Sequence, residues 1–139
     1  MTAEAFGFPW ILLYNNEVFA INEDLNNFIG LYSSNHYEEV STTRMIICEN
    51  CSMDIFIALV NDDKSVCCKC INCSKLYDIG VYDSSNNTAK EAKCNSCNGE
   101  ELNLMHGIAY GEYNQNWEYV VGKCIECQGL LVVSDWHST

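Results

Sequence analysis

Positive charge is scarce in this sequence. Seven Lys and Arg stand against 19 Asp and Glu, a formal net charge of −12 at pH 7. None of the seven falls in residues 1–43, which carry Glu4, Glu17, Glu23, Asp24, Glu38 and Glu39. Nucleic-acid binding rests on Lys and Arg neutralising phosphates, so direct contact with DNA or RNA is not expected. Long apolar runs are lacking too: no stretch of about 18 apolar residues is available to span a bilayer. The start, Met1-Thr2-Ala3-Glu4, has neither the basic residues nor the apolar stretch of a secretory signal. These absences lead to the expectation of a cytoplasmic protein with no membrane partner. Signatures of catalysis are missing as well, with no P-loop, no glycine-rich dinucleotide fingerprint and no recognisable nucleophile arrangement. Apolar residues, by contrast, make up 48% and aromatic ones 12% of 139 residues, enough for a folded core.

Cysteine is the other abundance. Ten cysteines include four C-x-x-C knuckles, Cys48/Cys51, Cys70/Cys73, Cys94/Cys97 and Cys124/Cys127. Random placement at this length would give about 0.7 such spacings. Two thiolates separated by two residues can grip one metal ion from a single tight turn, and two knuckles complete a tetrahedron, so four knuckles imply two Zn2+ ions. In a reducing compartment this spacing reads as metal ligation and not as a disulfide framework. Four thiolates and one Zn2+ sum to −2, so two filled sites would take the chain from −12 to about −16. Lys69, Lys93 and Lys123 directly precede Cys70, Cys94 and Cys124 and are candidates to balance thiolate charge. Eighteen residues separate Cys51 from Cys70 and 26 separate Cys97 from Cys124. Sequential pairing closes two short hairpins at little loop entropy and is favoured. Spacing leaves open a pairing of the two middle knuckles with each other and of the outer two, or a cross-braced arrangement. Cys67 and Cys68 are surplus, and Cys67 is the candidate alternative ligand.

The coarse organisation is mainly β (α+β) in three parts. Residues 1–43 form an acidic N-terminal α/β segment. In it Trp10–Tyr14 and Val18–Ile21 suit a hairpin around Asn15-Asn16-Glu17, and a short helix capped by Asn22 carries Leu25, Phe28, Ile29 and Tyr32 at helical spacing. Residues 44–83 are read as a first small antiparallel sheet, with strands at Met45–Ile47, Ile55–Val60 and Leu76–Tyr82, and Asp83–Thr88 as the best linker candidate. Residues 84–139 repeat the plan, with strands at Leu102–Tyr110, Trp117–Val121 and Leu130–Val133 and a polar tip between the first two. Gly99 and Gly129 follow the second cysteine of their knuckles by two residues, where a positive-φ turn would let backbone N–H groups face the sulfurs.

Residues 44–82 and 91–134 resemble tandem zinc ribbons, in which two knuckles hold one zinc at the end of a small antiparallel sheet. The resemblance implies structural metal. Zinc ribbons serve in transcription and ribosome-associated proteins, as structural modules of enzymes, and in adaptors, and their nucleic-acid-binding members are typically basic, unlike this chain.

Three functions are weighed. Tyr113, Trp117, Glu112 and Glu118 on the 110–119 hairpin, with Glu23, Asp24, Glu38 and Glu39, mix aromatic rings and carboxylates in the way that anchors interfaces with cationic partners. In size and charge the chain is similar to bacterial immunity proteins, which implies a non-catalytic inhibitor of a basic toxin such as a nuclease. The first alternative is a zinc-ribbon adaptor of the transcription or translation machinery. The second is a zinc deaminase: His36-Tyr37-Glu38 gives H-x-E and Cys67-Cys68-Lys69-Cys70 gives C-x-x-C. No Pro precedes Cys67, and that use of Cys70 would take it from Cys73.

Overall fold

A computed structural model describes residues 9–79 and 89–138, with the side chains of 9–19 and of Asn114 excepted. Residues 80–82 of the expected third strand and the expected linker Asp83–Thr88 lie outside the described residues. Among the described residues one α-helix, α1 (Pro9–Ser34), precedes eight strands: β1 (Thr42–Met45), β2 (Phe56–Val60), β3 (Val66–Cys70), β4 (Leu76–Ile79), β5 (Lys90–Glu91), β6 (Glu101–Tyr110), β7 (Asn116–Cys124) and β8 (Leu130–Ser138). The chain is mainly β, as its alternating, turn-punctuated pattern implies.

The expected N-terminal hairpin is instead the first half of α1. α1 is described from Pro9 onward. The β-prone runs flanking Asn15 continue the helix, whose C-terminal half is fixed by burial: Leu25 and Ile29 are fully buried, with Ile21, Phe28 and Tyr32 packed beside them. Intrinsic β-propensity is a weak prior, and a hairpin with no further strand to join would be marginal. Prolonging a docked helix adds one hydrogen bond per residue fixed.

All eight strands belong to one antiparallel sheet in the order β4-β3-β2-β6-β7-β8, where two separate small sheets were expected. Long β6 is the reason. Along one edge it pairs with β7 from Leu102↔Cys124 to Tyr110↔Asn116. Along the other it holds β1 (Thr42↔Ile108 to Met45↔Met105) and, end to end with it, β2 (Phe56↔Leu102, Ile57↔Glu101). The strand expected at Met45–Ile47 therefore sits earlier, at Thr42–Met45, because it pairs across to β6.

One face of the sheet carries α1. Met105, Ala109, Tyr119 and Val121 meet Leu25 and Ile29, and an added Cβ at Gly107 would lie 2.6 Å from Ile29 Cδ1. Only glycine lets the helix come this close. Two polar ties fix the docking: Lys123 Nζ donates to Asp24 Oδ2 at 2.7 Å, and the Tyr32 hydroxyl donates to Asp135 Oδ2 at 2.6 Å. On the other face Phe56, Ala58, Val66, Cys68 and Ile79 pack with Leu102, Leu104, Val120, Leu131 and Trp136. Ser134 Oγ donates to the Lys64 carbonyl, so the β2–β3 turn reaches across to β8. Among the described residues no helix is long and apolar enough to cross a membrane.

Candidate metal centres and an aromatic, acidic cleft

The four knuckles are built alike. In each, the amide of the first cysteine donates to the carbonyl five residues on: Cys48 to Met53, Cys70 to Lys75, Cys94 to Gly99 and Cys124 to Gly129, all at 2.8–3.0 Å. The residue after the second cysteine donates back to the first cysteine's carbonyl, Ser52 to Cys48, Ser74 to Cys70, Asn98 to Cys94 and Gln128 to Cys124. These four residues have φ of 64°, 67°, 65° and 66°. The positive-φ position is thus one residue earlier than the expected Gly99 and Gly129. The glycines serve the close approach instead, since a Cβ at Gly99 would lie 3.0 Å from Cys124 Sγ and 2.6 Å from Glu126 Oε2.

The knuckles bring together Cys48, Cys51, Cys70 and Cys73 in one group and Cys94, Cys97, Cys124 and Cys127 in another, the sequential pairing. Within each group all sulfurs lie within 4.8 Å of one another. The cross-knuckle pairs are equivalent in both: Cys48–Cys73 and Cys51–Cys70 at 3.5 Å, Cys94–Cys127 at 3.4 Å and Cys97–Cys124 at 3.5 Å. A disulfide would need about 2.05 Å. Four thiolates around a tetrahedral ion bound at about 2.3 Å sit about 3.8 Å apart, so both groups fit such an ion.

The surroundings divide the sulfurs of each group: Cys48, Cys73 and Cys94 are favoured as thiolates, whereas Cys70, Cys97 and Cys127 are raised, Cys70 by burial to about 11. Burial acts to raise Cys48, but the Tyr77 hydroxyl and the amides of Cys51 and Asn50 donate to its sulfur and hold it down at about 6. The amides of Cys97 and Ser96 hold Cys94 at about 6. Tyr77 lies 3.2 Å from Cys48 Sγ and accepts the Glu49 N–H at 2.9 Å, which orients its proton toward sulfur. The two sites differ in access. Cys51 and Cys73 are half-buried, whereas Cys97 and Cys127 are exposed. Cys67 stands in neither group: it is buried on β3, where burial and the neighbouring Asp78 push its thiol up to about 11. Cys68, fully buried in the core, is raised to about 12 by burial first and Cys67 next.

The lysines before the knuckles reach carboxylates in two of three cases. Lys123 meets Asp24, Lys93 lies 3.6 Å from Glu100, and Lys69 is exposed. His36 stacks on Tyr32 with centroids 4.3 Å apart and joins no ligand group with Cys67 or Cys70 among the described residues.

The acidic and aromatic candidates divide. Glu118 is buried, its Oε1 2.8 Å from His106 Nε2, and that hydrogen bond outweighs burial to hold its carboxyl below the usual range. Register carried the missed signal. His106 faces Val120 and Glu118 faces Ile108, so the two are diagonal neighbours on one side of the β6–β7 hairpin. Asp24 is tied to Lys123, and Glu23 and Glu39 are exposed. Glu38, Glu112, Tyr113 and Trp117 converge on one cleft of ≈ 520 Å³, with Tyr110 and His137 also in its wall. Trp117 stacks on Tyr37 at 3.9 Å and 1°, with His137 tilted beside it at 5.1 Å. Glu38 is held there by Tyr119, whose hydroxyl donates to the Glu38 carbonyl at 2.7 Å and accepts its N–H at 3.1 Å.

No protein-family model, no curated protein and no solved structure matches this chain.

Proposed function

We propose that this chain is a non-catalytic binding protein, held in shape by two zinc ions, that neutralises a basic toxin such as a nuclease by covering its cationic active site. The observation that carries this reading is the convergence of Glu38, from the loop after α1, with Glu112, Tyr113 and Trp117 of the β6–β7 hairpin on one cleft whose wall contains no Lys or Arg. Aromatic rings supply interface area at low entropic cost, and carboxylates supply complementarity to a cationic surface. Zinc is the assigned ion because tetrahedra of four cysteines with amide-to-sulfur hydrogen bonds suit it, and four thiolates leave no open coordination position for substrate, which favours a structural role. The assigned compartment is the cytoplasm, whose reducing poise keeps such thiolates available.

The reading predicts a 1:1 complex with one basic protein, captured at low salt from the native lysate. Its association rate should fall by about 10-fold or more between low and physiological ionic strength, because long-range steering is screened. Capture followed by stopped-flow kinetics checks it. Recovery of polymerase or ribosomal subunits in place of a basic inhibitor target, or a salt-independent association rate, would overturn it in favour of an adaptor.

A further inference from the structure

The cleft between the β6–β7 tip and the loop after α1 has a more specific chemistry than general acidity. Glu38 comes from the loop and Glu112 from the tip, and among the described residues neither carboxylate has a cation within 4.0 Å. Tyr113 is 90% exposed and Tyr110 58% exposed, so neither ring is spent on core packing. Tyr113 also adopts φ 58°, ψ 35°, a left-handed conformation that a residue with a Cβ pays to occupy. Trp117, also in the wall, is held by its stack on Tyr37.

We propose that this cleft binds one guanidinium group, that of an arginine side chain on the partner, a proposal that rests on the reading of the chain as a binder of a basic protein. A guanidinium is planar and weakly hydrated: it can lie on an aromatic face while its N–H fork donates to carboxylates. The cleft offers both features together. A lysine ammonium is compact and strongly hydrated, and a fully methylated ammonium has no N–H to give to Glu38 and Glu112. Tyr119 acts as a positioning residue, since its two hydrogen bonds hold the Glu38 backbone from which one of the two carboxylates extends.

The test is a titration of the zinc-loaded full chain with N-acetyl-arginine amide, N-acetyl-lysine amide and N-acetyl-trimethyllysine amide, followed by amide and indole NMR shifts. Arginine amide is expected to give saturable shifts at Tyr110, Tyr113 and Trp117, in the millimolar range suited to a single side chain. Glu112→Gln should weaken it about fivefold, and Glu38→Gln with Glu112→Gln more than tenfold, each with zinc content unchanged. No saturable shift at the cleft would overturn the proposal. Equal binding of lysine amide, or tighter binding of the trimethylated probe, would also overturn it. A basic partner that still binds the double variant at full affinity removes the cleft from the interface and leaves the binder reading intact. Arginine amide binding with no basic partner recoverable would separate the two in the other direction, supporting the site and sinking the inhibitor.

Discussion

Tyr119 is fully buried, and its hydroxyl is the only part of its side chain that can hydrogen-bond. Its ring packs edge-on to Tyr32 at 6.0 Å on the helix-covered face, while its oxygen closes two hydrogen bonds with Glu38. Tyr119→Phe keeps the ring volume and removes the ties. Stability should fall by about 1–2 kcal/mol, seen as a lower denaturant midpoint at unchanged m. Binding of the arginine probe should weaken severalfold as Glu38 loosens; an unchanged midpoint with unchanged probe binding would show that the loop is held by other means. At this scale the sequence was informative where chemistry is local. The two four-cysteine groups follow from their spacing alone, because a C-x-x-C turn is specified by its own residues. Glu118 was illegible as a buried group because strand alternation tells which residues share a face but not which face is covered. On a sheet with α1 on one side and a core on the other, both are covered.

The knuckles are legible in a local window of sequence and the first half of the helix is not. A knuckle needs only six consecutive residues to close its two hydrogen bonds, so the same turn forms four times from different residues. The first half of α1 depends on the docking of its second half, which no local window contains. The knuckles' identical backbones also isolate what differs between the metal sites. The first site has half-buried outer sulfurs and the Tyr77 hydroxyl on Cys48, whereas the second exposes Cys97 and Cys127 beside the carboxylate of Glu126. A chelator should therefore draw metal in two phases, the second site emptying first, with thiol alkylation mapping initially to Cys97 and Cys127. Tyr77→Phe should weaken the first site by about tenfold, the usual cost of losing a partner behind a metal ligand, and bring the phases together. Release in a single phase from the unaltered chain, with Cys51 and Cys97 alkylated at equal rates, would count against this asymmetry.

In the whole molecule the two four-cysteine groups share one sheet and are not separate objects. The tandem pattern of knuckles suggested two small sheets because strand pairing between repeats leaves no trace in spacing: β2 joins β6 through only Phe56↔Leu102 and Ile57↔Glu101, residues unremarkable in sequence. Yet Cys48 and Cys70 of one site and Cys94 and Cys124 of the other all belong to the same apolar cluster as Phe56, Leu104 and Trp136. Metal binding at such sites supplies folding free energy, so a site that shares a core should lend its stability to the strands of the other. Cys124→Ser is expected to lose one metal ion per chain and to lower amide protection not only in β7 but throughout β2 and β3, with one cooperative unfolding transition at a lower temperature. Hydrogen exchange resolved by residue, with metal analysis of the same sample, checks this. Full protection of β2 and β3, or two separate transitions, would mean that each ribbon folds on its own metal and that the shared cluster transmits little.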